Sequence, residues 1–319
     1  MRRHLALIGL LPGVVACGGG ANPTAPALPE ATLASTAAVL TFLSGETQMP
    51  VASAVVQVDG RRYMTDPEGR VTIESALHPY TPLDVEAPAF FLRRAHARTD
   101  RFTLWPTWSP TGLDEEYTAR LVYNCAGGDS AGDPLMRVVT GPVFVTPASD
   151  LLADDAARSS HMDAVDLISA ATRGAVTFSV TAAAPAGGIA VSTWINPRDA
   201  AIVSMGAAAV TRRSLGHHGE VVEASIVFRS LTLARRLPLV LHELGHVFGL
   251  GHSPRSGDVM WNGPELYETT DFSPRERLAI DLMLQRLPGN RFPDSEETAV
   301  YTAAARAETL AVCPLPRYP

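Results

Sequence analysis

The sequence predicts an α+β protein in two parts: a small all-β sandwich, then a larger α/β-type domain with a mixed twisted sheet. Short β-branched runs separated by turn signals fill the first part. The second part combines strand-like runs with amphipathic segments, one of which carries closely spaced histidines. The order strand, helix, several strands and helix is typical of an α/β arrangement.

Residues 1–16 have the features of a signal peptide. Arg2 and Arg3 precede an apolar run that is too short to span a bilayer. The run ends in "VVAC", which resembles the lipobox of bacterial lipoproteins, and this resemblance implies that Cys17 is lipidated. A plain secretory signal is the alternative. We expect an exported protein of the bacterial cell envelope, anchored by lipid on the periplasmic or outer surface, or an extracellular one.

The next two segments are predicted to be a linker and a sandwich domain. Residues 17–36 are rich in Gly, Pro, Ala and Thr, which is typical of a flexible linker. Residues 37–106 contain short strand-like runs broken by turn signals at "DG" and "DPEG". The stretches "PVASAVVQVDG", "TDPEGRV" and "VEAPAFFLR" resemble carboxypeptidase-regulatory-like modules, which implies a β-sandwich with a structural or targeting role.

Residues 107–290 are predicted to form the larger domain, and residues 291–319 a polar C-terminal tail. Four strands are expected within "RVVTGPVFVTP", "AVTFSVTA", "GIAVSTWINP" and "EVVEASIVFRS". Between the first two, residues 154–172 carry apolar side chains at spacings of three and four, which predicts an amphipathic helix. Ser273, Pro274 and Glu276 fit a capping box that opens a last helix.

Charge and cysteine content indicate which binding partners and cross-links to expect. The formal net charge of −7, without a basic cluster, argues against nucleic acid as a partner. We expect the protein to be a monomer. Lipid on Cys17 would leave Cys125 and Cys313 as a candidate disulfide in an oxidising compartment. Two free thiols are the alternative.

The segment "LHELGHVFGLGH" predicts a helix with two histidines on one face. Each helical residue turns by about 100°, so His242 and His246 project together, and an apolar stripe on the far side faces the core. A catalytic zinc ion takes three protein ligands. Gly249 can end the helix and turn the chain, which brings His252 back as the third ligand. Glu243 is placed to take a proton from a zinc-activated water.

This segment has the HExxHxxGxxH pattern of the metzincin zinc metallopeptidases. Ser253 after the last histidine, and a methionine eight residues after that histidine, resemble the matrixin branch and its bacterial relatives. The resemblance implies a single catalytic zinc ion and these roles: ligation by His242, His246 and His252, base catalysis by Glu243, and a Met-turn at Met260.

The sequence departs from the matrixin pattern in two places. Asn262 stands where matrixins have proline and where astacins and serralysins have tyrosine. The "PRCG" propeptide motif is absent, so latency by a cysteine switch would need another thiol, such as Cys125. His217 and His218 in "RRSLGHHGE" are candidate ligands for a structural zinc or calcium ion, but a loop without metal is the favoured interpretation.

The resemblance also implies a substrate-binding strand. In metzincins the strand before the active-site helix borders the cleft, and residues 223–230 match it by order. An extended peptide would then pair with its edge. The alternative is that this strand only completes the sheet.

Three functions remain open. The first is an exported zinc endopeptidase that hydrolyses proteins or peptides. The second is a surface-binding lipoprotein whose metzincin-like domain does not cut, although an intact Glu243 argues against it. The third is a zinc hydrolase that acts on non-protein amides.

Overall fold

A computed structural model provides the coordinates of the protein. It describes residues 37–109, 113–114, 117, 139–216, 220–261, 263, 269–288, 290 and the strand at 309–314. This part of the chain contains both helices and β-sheets, as an α+β class predicts.

Seven short strands make up the first part of the described chain. They form a three-stranded sheet in the order β4-β1-β7 and a four-stranded sheet in the order β3-β2-β5-β6. Side chains from both sheets share one hydrophobic core, in which the rings of Phe42 and Phe102 stack with centroids 5.2 Å apart. The strands are β1 (Ala38–Ser44), β2 (Val55–Val58), β3 (Arg61–Met64), β4 (Arg70–Ile73), β5 (Pro82–Glu86), β6 (Arg93–His96) and β7 (Arg101–Leu104).

Both predicted turns are confirmed. Asp59 and Gly60 join β2 to β3 with φ angles of 47° and 76°. A two-residue hairpin with both φ angles positive matches the right-handed twist of its strands, and Asp-Gly is a favoured pair for it. At the second turn, Gly69 has a φ of 70° and donates its N–H to the Asp66 carbonyl at 2.9 Å.

The larger part contains six helices and six strands within the described residues. The strands are β8 (Val143–Pro147), β9 (Phe178–Val180), β10 (Ile189–Ile195), β11 (Ala207–Leu215), β12 (Val221–Phe228) and β13 (Thr309–Pro314). The helices are α1 (Ser149–Ala153), α2 (Asp155–Ala171), α3 (Ala200–Met205), α4 (Leu231–Ala234), α5 (Leu237–Phe248) and α6 (Pro274–Gln285).

The six strands form one mixed sheet in the order β13-β11-β12-β10-β8-β9. Neighbours from β12 to β9 run parallel, whereas β11 is antiparallel to both β12 and β13. Buried side chains of this sheet and of α2, α5 and α6 form one core. The predicted mixed sheet is therefore confirmed.

Local sequence signals located three of these six helices, α2, α5 and α6, whereas α1, α3 and α4 were not predicted. Helix α2 lies within the predicted residues 154–172, and the Asp154 carboxylate caps it by accepting the Ala157 N–H at 2.9 Å. Met162 lies outside the buried face of α2, since half of its surface is exposed. The capping box of α6 is confirmed, because Ser273 and Glu276 each accept the other's backbone N–H.

Two expectations about strands are wrong. Residues 223–230 do not form an edge, because β12 lies between β11 and β10 and both of its sides are paired. The loop expected at "RRSLGHHGE" begins later, since Arg212–Leu215 belong to β11. No strand was predicted in the C-terminal tail, which contributes β13 to the sheet.

The two parts of the chain are in contact. Phe91 and Trp105 pack into the core of the larger part, and the Thr103 hydroxyl donates to Gln285 Oε1 at 2.7 Å. Among the described residues, no helix has the length and apolar character that crossing a bilayer requires.

Candidate metal centre

Helix α5 carries two of the three histidines and ends where the sequence predicts. Pro238 lies in the first turn, where a missing N–H removes no intrahelical hydrogen bond. Gly249 follows the last helical residue with a φ of 123°, a conformation that favours glycine. Its N–H donates to the carbonyls of Gly245 and His246 at 3.1 Å, and the chain then turns toward His252.

Helix α5 is buried on all sides. The sequence predicts one apolar face in the core and one face that presents imidazoles. In the structure, His242, Glu243 and His246 are each 0% exposed, as buried as Leu241 and Leu244 on the apolar stripe. The residues around Met260 and strand β11 pack over the polar face, so the ligand candidates lie within a packed environment.

Backbone carbonyls orient the two imidazoles of α5. His242 Nδ1 lies 2.6 Å from the Val259 carbonyl oxygen, and His246 Nδ1 lies 2.8 Å from that of Leu250. A carbonyl oxygen can only accept, so each Nδ1 carries the hydrogen and each neutral ring keeps a lone pair on Nε2. These Nε2 atoms lie 3.0 Å apart. Two neutral Nε2 atoms at this separation bring their lone pairs close together, an arrangement that a shared metal ion would stabilise.

His252 completes the cluster. Its ring centroid lies 5.3 Å from that of His242 and 4.9 Å from that of His246, and one potential ligand atom from each residue lies within 4.8 Å of the others. Two nitrogens bound tetrahedrally to one zinc ion at 2.0–2.1 Å lie about 3.3 Å apart, close to the observed Nε2 separation. The three histidines can therefore hold a metal ion.

The carboxylate of Glu243, the residue next to His242 on α5, is held by a threonine of the sheet. Thr211, on β11, donates its hydroxyl hydrogen to Glu243 Oε2 at 2.5 Å, and the Thr211 side chain is fully buried. Hydrogen bonds to an ionised group are stronger than those between neutral groups. Thr211 therefore restricts the orientation of the carboxylate. Sequence reasoning missed this residue.

A second residue of β11 contacts the ligand helix. Arg213 is 2% exposed and donates from Nη1 to the carbonyl oxygen of His246 at 2.9 Å. A cation near the last turn of a helix interacts favourably with its carbonyl groups. Strand β11 thus supports both the predicted base and one predicted ligand.

Met260 packs directly beneath the histidine helix. A Cβ atom added at Gly245 would overlap the Met260 sulfur, so a larger residue there would displace the methionine side chain. The chain around Met260 also returns to the third histidine, because the N–H of Ser253 donates to the Met260 carbonyl at 2.8 Å. The methionine predicted to form the Met-turn therefore lies next to the cluster.

Glu276, on helix α6, forms hydrogen bonds with the backbone at Val259 and Met260. Its carboxylate accepts the backbone N–H groups of Val259 at 3.1 Å, Met260 at 2.7 Å and Ser273 at 2.8 Å. Since the Val259 carbonyl also orients His242, a continuous path of hydrogen bonds links α6 to the cluster. The sequence identified Glu276 as a capping residue but not as the residue that holds Met260.

Asp258 provides a second anchor for the same segment. Arg275 Nε donates to Asp258 Oδ1 at 2.8 Å and to Oδ2 at 2.7 Å, and the Ser253 hydroxyl donates to the same carboxylate. Ser253 follows the third histidine directly, so the loop that carries His252 and the start of α6 are held by one buried carboxylate.

Burial raises the pKa of Glu276 to about 7 from its ordinary 4.5, and the nearby Asp258 carboxylate adds to the rise. The three backbone N–H groups oppose the shift, because they favour the charged form. The folded protein therefore binds this proton more tightly than the unfolded chain does. The resulting stability is present at low pH and is lost as the pH rises toward 7.

Several predicted features lie outside the described residues. These are the lipidation candidate, one cysteine of the candidate disulfide, the histidine pair and the residue after Trp261, namely Cys17, Cys125, His217, His218 and Asn262. Cys313 lies in β13 opposite Ala209 in the backbone register. Over the described chain, only one group of three metal-ligating residues comes together, and it is the histidine cluster.

No family model matches this sequence, and no curated protein matches it.

Replacing Glu276 with glutamine should flatten the pH dependence of stability. Relative to Glu276→Gln, the parent should lose on the order of 2 kcal/mol of unfolding free energy between pH 5 and 8. Denaturant unfolding of both proteins across this range measures the difference. The histidines are common to both proteins, so their own pH dependence cancels. If the unfolding free energies of the two proteins vary with pH in the same way, Glu276 does not have a raised pKa.

Proposed function

We propose that the protein is an exported, zinc-dependent endopeptidase of the metzincin class, similar to matrixins. The observation that carries this proposal is that the Nε2 atoms of His242 and His246, each with a lone pair, lie 3.0 Å apart on the helix that also carries Glu243. Three imidazole ligands with an adjacent carboxylate are the parts that a zinc hydrolase needs.

The sheet topology supports the metzincin assignment. Four parallel strands, one antiparallel strand and a histidine-bearing helix that follows β12 fit the order expected for such a catalytic domain. We also propose that residues 37–106 form a β-sandwich of the carboxypeptidase-regulatory-like kind, since two small sheets share one core there. Its role would be structural or targeting.

The protein would position the reactants mainly through its backbone. Carbonyl oxygens of Val259 and Leu250 fix the tautomers of two ligands, which raises their basicity and holds the rings in place. A zinc ion bound by the three histidines would polarise the scissile carbonyl and acidify a water molecule. Glu243 would accept the water proton at its carboxylate and deliver it to the leaving amine.

Glu243→Ala should abolish cleavage while preserving metal binding. The expected result is one zinc ion per chain, measured by metal analysis, with hydrolysis of a casein-type substrate reduced at least about 100-fold because the proton acceptor is lost. Parent protein treated with chelator, then restored with zinc, is the positive control. Equal cleavage by mutant and parent would refute the mechanism, and hydrolysis of small amides without peptide cleavage would favour a non-peptidase hydrolase.

Thr211→Val should lower the turnover of peptide without releasing zinc. Valine keeps the shape of threonine but cannot donate to the Glu243 carboxylate, and one hydrogen bond to a charged group corresponds to about a 10- to 100-fold decrease in kcat/KM. Thr211→Ser retains the hydroxyl and should keep most of the activity. If the serine and valine variants lose activity equally, the threonine acts through packing alone.

Lipid attachment at Cys17 would place this peptidase at the cell envelope. We expect Cys17→Ser to move the protein from the membrane fraction to the soluble fraction, since the anchoring thioether cannot form. Immunoblots of the two fractions measure the shift, with Cys313→Ser as the control that leaves the lipidation site intact. Unchanged fractionation of the Cys17 variant would rule out lipidation.

A further inference from the structure

Strand β13 covers the outer edge of β11. The two strands pair antiparallel, with Thr211 opposite Ala311 and Arg213 opposite Thr309. Without β13, β11 would keep β12 as its partner on one side, and its other edge would present unpaired N–H and C=O groups. Such an edge is a template for pairing with any extended chain.

The strand that offers this edge contacts the helix that carries His242 and His246. Thr211 contacts the Glu243 carboxylate, and Arg213 contacts the His246 carbonyl. Paired strands lie about 4.8 Å apart. The backbone of β13 therefore runs one strand spacing from two residues that contact the predicted base and a predicted ligand.

An extended peptide approaching Glu243 would encounter an edge that is already paired. Sheet edges bind extended peptides through main-chain hydrogen bonds, and only one strand can use a given set of donors and acceptors. In this structure, Glu243 and the two histidines of α5 are 0% exposed. A polypeptide substrate can therefore contact the carboxylate only after some part of the chain moves away.

We propose that Thr309–Pro314 is an intramolecular competitor of the substrate. The strand occupies the outer edge of β11, and an extended peptide pairs with that edge after β13 leaves it. This inference rests on the proposed peptidase function and specifies how that function is restrained. The apparent Kd for substrate is the intrinsic Kd divided by the released fraction of β13, so weaker pairing lowers the apparent KM and leaves kcat unchanged.

The test uses the full-length chain with Ala311→Pro and Val312→Pro combined. In an antiparallel pair, successive N–H groups point alternately toward and away from the partner, so one of these two neighbours donates to β11. Proline removes that donor. We expect KM for an extended fluorogenic peptide to fall about two- to tenfold, the factor that one net hydrogen bond contributes, with unchanged kcat.

The matched control combines Ala311→Val and Val312→Ala, which keeps both N–H donors and the same side-chain composition. Its KM should equal that of the parent. All assays contain a phosphine reductant, so that a disulfide at Cys313 cannot hold β13 in place. If the proline variant binds less than one zinc ion per chain, the milder Ala311→Gly and Val312→Gly pair replaces it. An unchanged KM in the zinc-binding variant overturns the proposal.

Binding separates this inference from the peptidase proposal. In the Glu243→Ala background, fluorescence anisotropy measures the Kd of a labelled extended peptide with and without the proline pair. The variant should bind about two- to tenfold more tightly, and equal Kd values overturn competition by β13 whether or not the parent cleaves. Tighter binding by a protein whose parent never cleaves supports competition at the edge and overturns the peptidase function.

Discussion

Two backbone carbonyls determine the chemistry of the histidine cluster. Each accepts a hydrogen bond from Nδ1 of His242 or His246, which leaves a lone pair on Nε2 of both rings. The two Nε2 atoms lie 3.0 Å apart. Rotation of either ring would break its hydrogen bond and turn its lone pair away. The rest of the site depends on where these carbonyls lie: Leu250 follows the turn at Gly249, and Val259 precedes Met260.

The position of the Val259 carbonyl is in turn set by helix α6. Glu276 accepts the N–H of the same residue, so the peptide units on both sides of Val259 are hydrogen-bonded, one to an imidazole and one to a carboxylate. Asp258, held by Arg275, restrains the preceding residue. A helix that begins some thirty residues after His242 therefore takes part in orienting its imidazole ring.

Features that depend on neighbouring residues could be predicted from the sequence, whereas features that depend on residues distant in the chain could not. The bounds of α2, the capping box of α6 and the end of α5 depend on neighbouring residues, and all three are confirmed. The histidine cluster follows from helical spacing and one glycine turn. Strand β11 was missed because Arg212 and Arg213 interrupt its apolar pattern, and the burial of Arg213 has its reason in the His246 carbonyl, which is remote in sequence. The interior place of β12 and the pairing of β13 likewise depend on tertiary contacts.

Buried polar and charged groups lower the stability of a fold, so their presence in the core calls for an explanation other than stability. Glu243, Thr211 and Arg213 are all nearly or fully buried, and moving charged groups out of water costs free energy that their hydrogen bonds only partly offset. Apolar side chains of similar size at these positions often give an equally or more stable core. Stability alone therefore does not account for a buried carboxylate held by a threonine on the helix that carries two buried imidazoles. The proposed proton transfer next to a bound metal ion would account for it, because that step needs a carboxylate of fixed orientation in a site from which water is largely excluded.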